Sequence, residues 1–253
     1  MTDTKTPPPG DTAQREKRVR AQHEARVLLL RHGEPDWTPE GTSVSDPGLT
    51  PYGRAQAAAA AERIAEEGVD AIYVSPYRRA QETATPLVAR SGLVPHTLPG
   101  LAEISVAVDG LSQEAADRYF VEAAQRPLAA HWDGWPGAES FRHFHARVTS
   151  ALEALLARHG FRPRVDPEHD FTQWDLDGPP CRVAVVAHGG TNAVALAHLL
   201  DVRPVPWEWL RFESELAAFS VVQARPLGPS GYVWSLQNFN EIDPLVEAGL
   251  RRR

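Results

Sequence analysis

Arg26-Val27-Leu28-Leu29-Leu30-Arg31-His32-Gly33-Glu34 decides how the rest of the chain is read. Residues 26 to 30 make an apolar run too short for a helix, halted by a cation, an imidazole and a glycine, and such a run reads as a buried strand. In an open α/β sheet, ligands bind at the carboxyl ends of strands, which puts Arg31 and His32 at the rim of a cleft. Gly33 lets the backbone turn sharply and approach a ligand closely. Taken alone, Arg-His-Gly is also an ordinary strand-to-loop exit, because three-residue motifs recur by chance. The weight comes from partners later in the chain.

Two further apolar runs end in the same way. Asp70-Ala71-Ile72-Tyr73-Val74 runs into Ser75, ahead of Arg78 and Arg79, and Val183 to Ala187 stops at His188-Gly189-Gly190. Helical signals lie between them. Thr50 can cap a helix whose first residue is Pro51, and Gly68 ends it. Ser75-Pro76 repeats the cap-plus-proline start for a helix from Tyr77 towards Arg90. Residues 112 to 125 and 192 to 200 read as helices, and Phe141, Phe144, Val148, Leu152 and Leu155 recur at three- and four-residue steps in an amphipathic helix over 139–158. A weaker strand is expected near 95–98, and final strands over 216–222 and 232–236. Residues 132 to 137 read as an aromatic, glycine-containing loop. Residues 160 to 180, polar and proline-containing, read as a long loop of the kind that is usually functional or mobile. The alternation predicts an α/β fold, a three-layer α/β/α sandwich with a mostly parallel central sheet. Residues 1–24, polar and including Pro7-Pro8-Pro9-Gly10, read as a flexible tail, leaving 25–253 as a single domain.

Composition narrows the function classes. The chain is 42% hydrophobic and 23% charged, enough for a sizeable core, and its net charge of −7 gives no reason to expect nucleic acid or an anionic membrane as partner. The only cysteine, Cys181, excludes an intrachain disulfide and a cysteine metal cluster, and reads as a small buried hydrophobe. With no HExxH-type motif or convincing acidic set either, no metal site and no cofactor are expected. No apolar stretch approaches 18 residues and no signal-peptide core is visible, so a soluble, cytoplasmic protein is the expectation, with a homodimer left open. Two histidines and two or three arginines converging on one sheet edge suit a phosphoryl group, which guanidinium binds in bidentate fashion.

Five segments, in register, resemble the histidine phosphatase superfamily, also called the phosphoglycerate mutase-like family. They are Arg31-His32-Gly33-Glu34; Leu49-Thr50-Pro51-Tyr52-Gly53-Arg54-Ala55-Gln56-Ala57; Ser75-Pro76-Tyr77-Arg78-Arg79-Ala80-Gln81-Glu82-Thr83-Ala84; Pro136-Gly137-Ala138-Glu139-Ser140; and Val185-Val186-Ala187-His188-Gly189-Gly190. The resemblance covers roughly residues 26 to 200. It implies a phosphoglycerate mutase-like fold and a phosphatase that hydrolyses a small phosphomonoester through phosphohistidine. His32 would be the nucleophile and Glu103 the general acid. Arg31, Arg79 and His188 would clamp the phosphoryl oxygens, with Gly33 and Gly189 close to them. Asp109 and Glu34 stand as alternatives for the acid.

The departures matter too. Glu82 stands where the family commonly has glutamine, and is expected outside the phosphate pocket. Ile104 to Gly110 replaces the aromatic, glycine-rich stretch common after the acid in phosphatases, which makes the substrate-facing wall unusual. Mutases commonly carry Arg-His-Tyr-Gly after the acid, absent here, and Pro35 replaces their small hydroxyl residue. A mutase is therefore the second reading, and a catalytically silent phospholigand-binding protein the third. Trp37 and Trp135 are expected to line the cleft, Trp207 and Trp209 to anchor a short amphipathic segment, and Arg78 to be solvated. His143 and His145, two residues apart on a helix, do not make a metal pair, and His198 reads as a satisfied core histidine.

Overall fold

The computed structural model describes residues 24–251. The tail expected over 1–24 lies outside the described residues except for Glu24, which pairs with Arg26 at 2.7 Å. The strands are β1 (Arg26–Arg31), β2 (Ala71–Val74), β3 (His96–Thr97), β4 (Phe161–Asp166), β5 (Phe171–Leu176), β6 (Arg182–Ala187), β7 (Phe219–Pro226) and β8 (Tyr232–Glu241). The α-helices are α1 (Pro51–Glu67), α2 (Arg78–Ser91), α3 (Gln113–Ala124), α4 (Phe141–Ala157), α5 (Gly189–Leu199), α6 (Glu208–Arg211) and α7 (Asp243–Glu247).

One sheet takes all eight strands in the order β3-β2-β6-β1-β7-β8-β5-β4. The pairs β3/β2, β2/β6 and β6/β1 are parallel, whereas β1/β7, β7/β8, β8/β5 and β5/β4 are antiparallel. The sheet is therefore mixed and not mostly parallel as expected, because β7, β8, β5 and β4 add antiparallel pairs and confine the parallel part to the half that carries the sequence motifs. Alternate residues of β1 point to opposite faces. Val27 and Leu29 join Val183, Val185 and Ala187 of β6 under α4 and α5. Leu28 and Leu30 join Ile72, Val74 and Val186 under α1 and α2. The result is the expected three-layer sandwich.

Residues 160–180 are not a loop. They form the hairpin β4–β5, paired from Phe161↔Leu176 to Asp166↔Phe171. Phe161 and Trp174 are buried in the core, while Arg162, Arg164 and Val165 face solvent. Because β4 is an edge strand, Pro163 leaves no central ladder bond unmade, and the arginines protect the edge. A third apolar cluster, Phe141, Phe144, Val148, Ile104 and Val194, lies beside the parallel half, and Trp132, Trp135 and Trp209 pack on it.

Candidate active site

The exits of β1, β6 and β2 lie side by side. His32 donates its backbone N–H to Ala187 O at 3.0 Å, and Ser75 donates to Val186 O at 3.0 Å. β7 runs antiparallel to β1, so it enters the sheet at the same edge: Arg31 N–H reaches Ala218 O and Ala217 N–H reaches His32 O, each at 3.0 Å. The segment 212–216 is thereby brought to the mouth of the site.

The residues of the first three motifs brace the turn after His32. Gly33 N–H donates to Thr83 Oγ1 at 3.0 Å, and Thr83 donates that hydroxyl to Arg79 O at 2.7 Å. Glu34 N–H donates to Gln56 Oε1 at 2.9 Å. Thr50 caps α1 by accepting from Gly53 N at 2.9 Å, with Pro51 at the first helical position. A Cβ on Gly33 would lie 2.4 Å from Gly53 O, and one on Gly53 only 2.1 Å from Glu34 O, so bare backbone is required on both sides of this contact.

His32 is buried, and its Nδ1 lies 2.8 Å from Gly33 O. A carbonyl can only accept, so Nδ1 carries the proton and Nε2 keeps its lone pair. Burial, and then the Arg79 guanidinium, hold its pKa well below the ordinary 6.5; the Gly33 bond opposes this and Arg31 adds to it. The ring is therefore neutral near pH 7. His188 stands 5.2 Å away, centroid to centroid, at 63°. Its Nε2 is 2.7 Å from Ser75 Oγ, and its Nδ1 is buried without a partner. Burial, His32 and the two arginines likewise lower its pKa well below 6.5. Ser75, expected to cap α2, instead holds this ring; Tyr77 occupies the cap position and makes no side-chain cap bond. α5 begins directly after His188, at Gly189, and not at residue 192.

Arg31 and Arg79 share one cavity of about 460 Å³ with His32 and Glu103. Arg31 donates through Nη1 to Ser214 O. Arg79 lies between the rings of Trp37 and Tyr77, at 4.9 and 4.7 Å, and reaches Ser45 O at 3.4 Å. The Nε atoms of both arginines are buried and without protein partners. Burial lowers both guanidinium pKa values and Glu103 raises them again, and both groups stay cationic.

Glu103 accepts from Gly190 N–H at 2.9 Å through Oε2 and from Ile104 N–H at 3.0 Å through Oε1. Its segment is clamped to α4 by Arg147, which donates to Gly100 O and Ala102 O at 3.0 Å each and pairs in bidentate fashion with Glu139 at 3.0 and 2.7 Å. The Pro-Gly-x-Glu-Ser motif thus supplies Glu139 to Arg147 and Ser140 as the cap of α4. Asp109 is turned elsewhere, accepting from Ser45 N at 2.9 Å, and Glu34 binds Thr50 Oγ1 at 3.0 Å. Neither lines the cavity.

With this geometry in view, comparison with known proteins decides the family. Residues 27–165, more than half of the chain, match the model of the histidine phosphatase superfamily (branch 1). The chain belongs to that superfamily. A glucosyl-3-phosphoglycerate phosphatase of Mycobacterium tuberculosis is 33% identical over 190 residues, 72% of this chain and 78% of the relative. Phosphoserine phosphatase 1 of Hydrogenobacter thermophilus is 28% identical over 138 residues, 53% of this chain and 65% of the relative. The solved structure of a mycobacterial glucosyl-3-phosphoglycerate phosphatase superposes with a TM-score of 0.63 at 30% identity, covering 85% of this chain and 98% of that one.

Of the residues expected at the site, Arg31, His32, Arg79, Glu103 and Gly189 line the cavity, His188 lies against His32, and Gly33 sits in the turn behind it. Trp37 and Trp135 line it as expected. Trp209, expected as an anchor, lines it too, stacked on Trp135 with centroids 5.6 Å apart. Glu82 lies outside, accepting from Leu49 N and pairing with Arg78. His198 sits 2.9 Å from Glu153. Tyr77, Glu213 and Ser214 join the lining without having stood out in the sequence. Tyr77 lies within a recognised motif, though the resemblance gave it no role, whereas nothing in the composition of residues 212–214 marks them; only the reversed direction of β7 does. Among the described residues no helix is long and apolar enough to cross a membrane.

Proposed function

We propose that the chain is a phosphatase that hydrolyses a small phosphomonoester through a phosphohistidine on His32. Nε2 of His32 attacks phosphorus in line, a P–N bond forms and the P–O ester bond breaks. Glu103 protonates the leaving oxygen as that bond breaks. The same carboxylate then takes a proton from water, whose oxygen attacks phosphorus; the P–N bond breaks and inorganic phosphate leaves. Arg31, Arg79 and His188 hold the non-bridging oxygens through both steps. The observation that carries this reading is the tautomer-fixed, neutral ring of His32 beside two guanidiniums whose buried Nε atoms are unpartnered. A protein that only bound phosphate would need no free imidazole lone pair.

The mutase reading is weaker because the residues after Glu103 are Ile-Ser-Val-Ala and lack the Arg-His-Tyr-Gly pattern. The chemistry also needs no metal ion, since fixed guanidinium charge fills the role a divalent cation would have. Rapid-quench labelling with a phosphorus-labelled alkyl phosphate tests the proposal. We expect an acid-labile, base-stable phosphoenzyme, its loss together with turnover in His32→Ala, and inorganic phosphate released at an unchanged rate with chelator present. Turnover surviving in His32→Ala would refute the nucleophile; specific rescue of chelated enzyme by a divalent ion would refute metal independence.

A further inference from the structure

Beyond the phosphoryl-binding centre, the cavity is walled by Trp37, Phe120, Trp135, Trp209, Leu210 and Phe212. Phe120 meets Trp135 edge-on at 6.1 Å, and Trp135 stacks on Trp209, so the rings form one continuous face. Phe120, Trp37 and Leu210 are 40%, 46% and 69% exposed, a large apolar area left in water at the mouth of a site. The segment from Ile104 to Val108 continues this wall, Ile104 packing in the cluster that Trp135 and Trp209 cover, and the residues just after it are tied down: Ser43 N–H donates to Leu111 O at 2.9 Å, Gly110 N–H donates to Ser43 O at 2.9 Å, and Asp109 accepts from Ser45 N–H. It presents Val106 and Val108 to the space.

The charges of the lining balance without surplus. Among the described residues its only guanidiniums are Arg31 and Arg79, and its acids are Glu103 and Glu213. Both cations are needed for the phosphoryl oxygens, and Arg147, which clamps the segment of Glu103, is saturated by Glu139 and two carbonyls. A second anion on the substrate would find no free cation and would meet Glu213, and an unpaired charge taken out of water is costly.

We propose that this cavity takes phosphomonoesters whose leaving group is apolar, an aromatic ring being the best fit, and selects against leaving groups that carry a second anion. The inference rests on the phosphatase reading and names the substrate class of the same site. It sets this chain apart from relatives whose names specify carboxylate-bearing phosphoesters.

The test compares specificity constants (kcat/KM) across three esters of primary alcohols, so that differences report the leaving-group pocket: naphthylethyl phosphate, ethyl phosphate and 3-phosphoglycerate. The naphthyl ester should exceed both others by roughly tenfold or more, since even a methylene in an apolar pocket is worth about that. Phe120→Ala should lower the naphthylethyl-to-ethyl ratio several-fold, and Glu213→Lys should raise the relative specificity constant of the phosphoglycerate by roughly tenfold. Phosphate release that favours 3-phosphoglycerate, or a ratio unmoved in Phe120→Ala, overturns the substrate assignment while the phosphatase stands. No release from any of the three esters overturns both.

Discussion

Glu103 owes its position to the absence of a side chain at residue 190. A Cβ there would fall 2.6 Å from the carboxylate, which now accepts the Gly190 N–H at 2.9 Å. Because the colliding atoms belong to the end of a flexible side chain, Gly190→Ala should leave the core intact and push the carboxylate aside. Its effect should therefore mimic Glu103→Gln. Both variants should slow phosphoenzyme formation from an alkyl phosphate by roughly a hundredfold, the usual scale for a general acid, and affect p-nitrophenyl phosphate far less, because a weakly basic phenolate leaves without a proton. Rapid-quench rates with the two substrates measure the difference. Equal slowing of both substrates would remove Glu103 from the acid role and, since Asp109 and Glu34 are turned away from the cavity, would leave the leaving group to depart unprotonated. Arg79 makes the complementary case. Replacing it with alanine keeps the nucleophile but removes one clamp, at a cost of ~3 kcal/mol in the transition state. The measurement is kcat, which should fall while phosphoenzyme still forms.

At the scale of elements, the decisive contact is the crossing of the β1 exit over the start of α1, where Gly33 and Gly53 meet backbone to backbone. Gly53→Ala would put a methyl group 2.1 Å from Glu34 O, and neither partner is a side chain that could move. It should cost ~1–3 kcal/mol, the range for overpacking, and lower the urea midpoint together with affinity for inorganic phosphate. A variant with unchanged midpoint and phosphate affinity would show that the turn has room the geometry denies. This contact is legible in the sequence as two glycines in two motifs, though not as one contact. Strands β1, β2 and β6 are legible because, buried on both faces, they are near-continuous apolar runs, and α4 because its phenylalanines and leucines keep helical steps. β4 and β5 are not, since Pro163 and the edge arginines break the apolar alternation and the only apolar side chains buried on them are Phe161 and Trp174. The role of Ser75 is hidden because Ser-Pro signals a helix start equally well whether or not the hydroxyl is claimed by a distant ring. Glu213 and Ser214 are invisible because they reach the site through the direction of β7, a property of sheet topology and not of local sequence.

For the whole molecule, the site places two imidazoles in a buried, cation-rich pocket at the sheet edge, and this couples stability to pH. His32 and His188 have folded-state pKa values depressed below the 6.5 of an unfolded chain, chiefly by burial and then by neighbouring charge. In the window below pH 6.5 the unfolded chain binds protons that the folded one refuses, so unfolding is favoured as pH falls. The stability is fully present above pH 6.5 and is lost on acidification, with a limiting slope of ~1.4 kcal/mol per pH unit for each histidine. His145 and His159, also depressed by burial, act in the same direction. The carboxylates held low, Glu24 and Glu82, lose their contribution only below their unfolded range near 4.5, and Glu208, whose pKa burial raises, favours the folded state on acidification and opposes the histidines, so a fall in stability from pH 7.5 to 5.5 belongs to the histidines. Urea midpoints across that interval should fall for the wild type. They should fall less for His32→Gln, which keeps a polar group of similar size but cannot take a proton. Inorganic phosphate should raise the wild-type midpoint as RT ln(1 + [phosphate]/Kd), because it binds only the folded pocket. Its anionic charge favours the imidazolium, so the fall in midpoint on acidification should be shallower when phosphate is bound. A wild-type midpoint that rises on going from pH 7.5 to 5.5 without phosphate would mean that the two rings gain protons on folding, and the neutral nucleophile would go with it.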